Sequence, residues 1–181
     1  MVEVEIQDVV VKVVEAKPDE ETRLADERMR VVLLKEKRGE RRLPIWIGAS
    51  EGDALALQLG GDAMPRPITV DLAARLVEAA GARIEEVTVS ALREKTFYAV
   101  VRLAAGGRTE ELDARPSDAL NLAARVGAPI YVADEVMEAS SLLPDRLEQE
   151  LAMPSWRGKE LPEGVWQTLS PQLVKSLYPT P

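Results

Sequence analysis

Side chains able to work on a phosphodiester recur at a few places in this 181-residue chain. The densest is "DARPSDALNLA", residues 113 to 123, where Asp113, Arg115, Ser117 and Asp118 precede an apolar helical pattern. Glu51 and Asp53 stand close together in "SEGDALAL", and Asp71 follows the loop "GGDAMPRP". Two or three convergent carboxylates would hold a divalent cation that activates water and offsets charge at phosphorus. Oxygen donors of this kind suit Mg²⁺ or Mn²⁺, with Asp113 and Asp118 the first choice as ligands. Arg66 and Arg115 are candidate phosphate contacts, because a guanidinium fork matches phosphate oxygens. The same residues also have a purely structural use. Ser117 or Asp118 can accept a backbone N–H at the helix start, and Arg115 can pair with Asp113 to fix the turn. Asp118, Asn121 and Arg125 share one helical stripe, as on a solvated or interface face. Spacing alone leaves both uses open.

Composition narrows the chemistry. The chain has no histidine and no cysteine. Histidine-dependent triads, His-ligated zinc and cysteine nucleophiles are therefore excluded, as are disulfides. Any hydrolysis must use carboxylates. The net charge of −8 opposes broad attraction to nucleic acid, since phosphate binding relies on cationic surface. Local distribution can override that average. The segment "KEKRGERR" sets Lys35, Lys37, Arg38, Arg41 and Arg42 against Glu36 and Glu40 around a Gly39 turn. It could steer a nucleic-acid strand, or be a solvated hairpin whose charges discourage edge-to-edge pairing. No run of 18 apolar residues exists, so no membrane span is expected. The opening "VEVEI" does not read as a signal peptide, which makes the cytoplasm the expected location.

These residues need elements to position them. Residues 2 to 14 alternate and are rich in valine, which predicts a long strand, and 17 to 27 read as an acidic loop. "RMRVVLLKEK" and "RRLPIWIG" predict a hairpin, followed by a short buried helix with Ser50 as its cap. Thr69 is expected to cap the next helix, with Leu72, Leu76 and Ala80 recurring at helical spacing and Gly81 as the stop. "RIEEVTVSAL", "TFYAVVRLAA" and "RTEELDAR" predict an antiparallel meander. A helix from "DARPSDA" to Gly127, a strand at "APIYVAD" and a short helix after Asp134 complete the compact part. "DALAL" and "DALNL" each follow a strand and turn, and each helix ends in glycine, which suggests a repeated strand–turn–helix unit. The expectation is an α+β domain over residues 1–140, with a mixed, largely antiparallel sheet and short helices. A helical, proline-rich extension over 141–181 follows, including a short amphipathic helix in "LLPDRLEQELAM".

The segments "LPIWIGASEGDALAL", "MPRPITVDLAARLVEAAGARIEEVTV", "TFYAVVRL" and "ELDARPSDALNLAARVGAPIYVADEV", in this order, resemble the bifunctional nuclease family. The resemblance covers roughly residues 1 to 140. It implies an α+β domain that self-associates and cleaves both RNA and DNA. The acidic and arginine positions of its motifs fall here on Glu51, Arg66, Asp71, Asp113, Arg115 and Asp118. One position departs: where the family often has histidine between threonine and aspartate, this chain has Val70.

The leading expectation is therefore a metal-assisted nuclease acting mainly on single strands. Glu51, Asp71, Asp113 and Asp118 would supply ligands or the base, while Arg66, Arg115 and the hairpin cations hold the strand. The alternative is a non-catalytic oligomeric scaffold or regulatory binding module in which the same motifs build interfaces.

Overall fold

The computed structural model describes residues 1–13, 30–61, 66–147, 155–156, 159–160, 165–172 and 174. The acidic loop at 17–27, and half of the proline loop and of the helix expected in "LLPDRLEQELAM", lie outside them. The long first strand forms as β1 (Val2–Val13) and pairs with the hairpin β2 (Arg30–Glu36) and β3 (Arg42–Ile47). Helices α1 (Ala49–Leu59) and α2 (Thr69–Ala79) come next. The meander β4 (Ala82–Arg93), β5 (Thr96–Ala105) and β6 (Arg108–Ala114) leads into α3 (Pro116–Val126). Then come β7 (Ile130–Val132) and α4 (Asp134–Ser140). The sheet order is β3-β2-β1-β7-β4-β5-β6, antiparallel except for the parallel pair β4–β7. This is the expected α+β architecture.

β-bulges explain sequence patterns that strict alternation does not. Val2, Val4 and Ile6 face the main core, as do Val9 and Val11. The change of parity coincides with a register shift between Ile6 and Asp8, where one extra residue turns the strand over. Val10 then points to the other face, into a second cluster with Val31, Leu33 and Leu147. The run of three valines thus marks a strand covered on both faces. β4 uses the same device between Ile84 and Glu86, which moves the core positions to Val87 and Val89. The main core lies between the sheet and α1, α3 and α4, where Leu55, Leu120 and Met137 are fully buried.

Helix starts differ from the expected caps. The N-cap residues are Gly48, Ile68 and Arg115, and none uses its own side chain to cap. Ser50 and Thr69 lie inside their helices, and so do Ser117 and Asp118. Asp71 reaches back to the Ile68 N–H at 3.0 Å, and Asp53 and Asp118 bind arginines. Pro116 sits on the first turn of α3, where its missing N–H costs nothing. α2 departs further. Leu72 and Leu76 are exposed, and the half-buried stripe is Val70, Ala73, Ala74 and Val77. The smaller residues face the body, which allows the helix to pack closely on α3 and β4.

The repeated unit extends to chain order only. Each outermost strand of the sheet, β3 and β6, runs directly into a helix, α1 and α3. Their aspartates differ, however: Asp53 is buried against Arg30, whereas Asp118 is half-exposed against Arg115. The closing glycines differ too, with φ −75° at Gly60 and +70° at Gly127. After residue 140, short strands β8 (Ser155–Trp156) and β9 (Lys159–Glu160) pair with each other, and β10 (Val165–Thr168) pairs with β1. Leu169 and Val174 join the main core.

Gly52 lies where α1 crosses β2. A Cβ there would stand 2.4 Å from Cγ and 2.6 Å from Cβ of the buried Arg30. In an exposed helix, Gly→Ala stabilises by about 1 kcal/mol. Gly52→Ala is expected to reverse that sign and lower the urea midpoint, because the atoms it meets belong to the root of a buried side chain rather than a mobile tip. An unchanged or raised midpoint would refute the close approach.

Candidate functional site

The densest polar constellation among these motifs is at the junction of α1 and α3. Arg115, the N-cap of α3, donates from Nε to Asp118 Oδ2 at 2.8 Å and from Nη2 to Asp118 Oδ1 at 3.0 Å. The same Nη2 lies 2.9 Å from Glu51 Oε1 on the first turn of α1. One nitrogen therefore stands between two carboxylates from different helices. The Asp118 carboxylate first, then Glu51, holds the guanidinium above its ordinary pKa and so permanently charged. The side chain of Arg115 is 67% exposed, that of Asp118 46% and that of Glu51 26%. Nη1 of Arg115 and Oε2 of Glu51 have no hydrogen bond among the described residues. The exposed Arg115 thus presents an open guanidinium edge at a helix N-terminus, where the dipole favours an anion.

Asp113 stands apart, and the expected Arg115–Asp113 pair does not form. Asp113 is opposite Val100 in the β5–β6 ladder, while Leu112 is opposite the core residue Val101. Alternation along a strand therefore puts Asp113 on the sheet face turned away from the helices. Arg115 instead turns toward α1 and its own helix. Among the described residues, no three acidic side chains group closely enough to hold a metal ion.

The stripe below Arg115 fastens three helices together. Asn121 is buried, and its Nδ2 donates to the Glu51 carbonyl at 3.0 Å and the Ser117 carbonyl at 2.9 Å. Its Oδ1 accepts from Gln58 Nε2 at 2.8 Å. One turn on, Arg125 Nε pairs with Asp71 Oδ1 at 2.9 Å and ties α3 to the start of α2. The stripe expected on a solvated or interface face is an interface inside the domain. Asp71 has both oxygens engaged there, one on Ile68 and one on Arg125. Arg66 is exposed two residues before Ile68, with no ion pair among the described residues.

The cationic hairpin tip is at the other end of β3 from Glu51, about 20 Å away for a strand of this length. Most of its charge is matched locally. Lys37 Nζ meets Glu3 at 2.6 Å, Arg41 binds Glu36 through two bonds of 2.8 and 2.9 Å, and Arg42 stands 3.8 Å from Glu40 while donating to Gln7 at 2.9 Å. The Arg41 side chain accordingly holds the Glu36 carboxyl below its ordinary pKa. Lys35 and Arg38 form no ion pair among the described residues.

Two polar features were not anticipated from spacing. Arg30 Nε donates to Asp53 Oδ1 at 2.7 Å inside the core, with the Arg30 side chain fully buried. The sequence signal was an aspartate within the otherwise apolar "GDALAL" and an arginine opening "RVVLL". The Asn121–Gln58 bond had no sequence signal beyond a polar residue on a helical stripe.

These features define an α+β domain with an exposed arginine held by carboxylates where two helices meet. The chain belongs to the bifunctional nuclease domain family, whose model matches residues 32–144. An uncharacterized protein of Mycobacterium tuberculosis is 46% identical over 121 residues, which cover 66% of this chain and 72% of that protein. Bifunctional nuclease 1 of Oryza sativa subsp. japonica is 30% identical over 105 residues, covering 56% of this chain and 32% of that protein. A bifunctional nuclease of Oryza minuta matches with the same identity and coverage. No helix among the described residues is long and apolar enough to cross a membrane.

Proposed function

We propose that this chain hydrolyses phosphodiester bonds of single-stranded RNA and DNA at the Glu51–Arg115–Asp118 cluster. Family membership supports the reaction class, and the observation that carries the site is Arg115, charged, exposed and held by two acids. Asp118 uses both oxygens on Arg115 and so acts as its orienting partner. Glu51 keeps Oε2 free and takes the proton of the attacking water. Arg115 meets the phosphate through its open edge and offsets the charge that develops on it. The leaving oxygen takes its proton from solvent.

Asp71 braces the loop that carries Arg66, and Arg66, Lys35 and Arg38 serve as outlying phosphate contacts. With few such contacts on an acidic chain, binding is weak and transient, and its salt dependence is shallow. A single strand suits this arrangement, because it can bring one phosphate to the cluster while its neighbours stay clear of acidic surface.

A divalent cation is a separate proposal. Glu51 and Asp118 are oxygen donors of the type Mg²⁺ or Mn²⁺ takes, often with only one or two carboxylates and the substrate phosphate. As arranged, however, the guanidinium occupies the place between them, so no step is assigned to a metal. Asp118→Asn is expected to reduce cleavage by about 10²-fold while staying folded, since it loosens Arg115 without emptying the core. Undiminished cleavage by that variant would remove Asp118 from the site. Loss of cleavage in EDTA, restored by Mn²⁺, would place the metal in the reaction. Full activity in EDTA would exclude it.

A second reading is favoured by α2. Its Leu72 and Leu76 are 55% and 61% exposed on one helical stripe, as on a surface that meets a second copy of the chain. Leu76→Glu is expected to lower the mass measured by light scattering to that of one chain. A wild type that is monomeric at all concentrations would end this reading.

A further inference from the structure

We infer that Asn121 is a positioning residue that sets where Glu51 stands relative to Arg115. The kinetic consequence rests on the nuclease reading above; the geometric one does not. Arg115 and Asp118 are three residues apart and meet through local helix geometry. Glu51 is on a different helix, 64 residues before Arg115 in sequence, and reaches it only if the first turn of α1 is held against α3. Asn121 supplies that hold. Its amide donates simultaneously to the Glu51 carbonyl on α1 and the Ser117 carbonyl on α3, and its oxygen takes the Gln58 amide one helical stretch further along α1. The residue is 4% exposed, so water cannot readily replace these bonds. A hydrophobic contact would permit α1 to slide along α3, whereas a donor fixed to one carbonyl gives a single register.

Gly48 supplies the room on the other side. A Cβ at Gly48 would lie 2.4 Å from Glu51 Oε2 and 3.2 Å from its Cδ. The Glu51 carboxylate therefore folds back over a residue that has no side chain. Gly48 has ordinary dihedrals, φ −67° and ψ 159°, so alanine fits the backbone and the only atoms that must give way are those of the carboxylate. Asn121 thus fixes the backbone beneath Glu51, and Gly48 leaves the space its carboxylate fills.

The test uses the full chain, with Glu51→Gln, Asn121→Ser and Gly48→Ala as single variants and Glu51→Gln/Asn121→Ser as the double. Serine is too short to reach the Glu51 carbonyl, and Gly48→Ala leaves the core untouched should Asn121→Ser fold poorly. Two quantities are read: the ¹⁵Nε resonance of Arg115, and kcat and KM on a single-stranded oligonucleotide. Asn121→Ser and Gly48→Ala are each expected to move the Arg115 resonance in the direction that Glu51→Gln moves it. The double variant should match Glu51→Gln alone. The kcat of either single variant is expected to fall about 10- to 100-fold, as for a displacement of roughly 1 Å. KM should change less than about twofold. An Arg115 resonance unmoved by both variants would overturn the inference, as would an Asn121→Ser effect that adds in full to that of Glu51→Gln. If the resonance behaves as expected but no form of the protein cleaves, the nuclease reading fails and the positioning role stands.

Discussion

Arg115→Ala is expected to reduce cleavage of single-stranded RNA and DNA by about 10²- to 10³-fold, the usual effect of removing one preorganised donor from a charge-stabilising site. Stability should change little, because the side chain is 67% exposed and its contacts are made at the surface. One consequence separates this from a generic loss of charge. Arg115→Lys should recover little activity, since an ammonium cannot grip both Asp118 oxygens through two parallel bonds and still offer a free edge. The salt dependence of binding should also flatten in Arg115→Ala, because one phosphate contact is gone. A variant that cleaves as fast as wild type would show that the cluster is only a helix-junction tie.

The largest stability effect is expected at Asp53. Its side chain is 9% exposed, and that of Arg30, at 2.7 Å, is fully buried. Asp53→Ala removes the charge that faces a buried guanidinium and should cost about 3–5 kcal/mol, the range for breaking one side of a buried pair. In a chain of this size that lowers the melting temperature by roughly 10 °C. Replacing both members together, as in Arg30→Met/Asp53→Leu, should recover most of the loss, because two apolar side chains of similar bulk leave no uncompensated charge. A double variant no more stable than Asp53→Ala would mean the pair does more than neutralise itself. The pair links β2 to α1, the helix that carries Glu51, so Asp53→Ala also tests how far the site depends on that anchorage.

The sheet was legible from the sequence because its strands advertise themselves. The alternation of β1, the turn of the β2–β3 hairpin and the paired glycines between β5 and β6 are local signals, and each element formed where those signals placed it. The bulges were not legible, since the parity switches in β1 and β4 depend on what covers each face. Helix starts were misread for a related reason. Ser50, Thr69 and Ser117 have the right chemistry for caps, but the helices begin on Gly48, Ile68 and Arg115. Their aspartates bind partners that are distant in sequence or three residues back at the N-cap. α2 shows the limit of periodicity, which identified Leu72, Leu76 and Ala80 as an apolar stripe without indicating that it faces solvent.

The candidate site was legible as a set of residue types and much less so as a geometry. The motif stretches named Glu51, Arg115 and Asp118, and these three come together. The same reasoning placed Asp113 with Asp118, which strand alternation prevents, and gave weight to a hairpin whose cations are mostly matched by Glu3, Glu36 and Glu40. Asn121 was visible only as a polar residue on a stripe, because its importance comes from a carbonyl 70 residues away.

The most direct test compares wild type and Glu51→Gln, purified in parallel, on end-labelled single-stranded RNA and DNA. Cleavage of both substrates should follow the wild-type protein through the final chromatographic peak and fall by about 10²-fold or more in Glu51→Gln, which keeps the shape of the side chain and loses its basicity. A wild type that cleaves neither substrate, or a Glu51→Gln protein that cleaves as well as wild type, would contradict a nuclease built on this cluster.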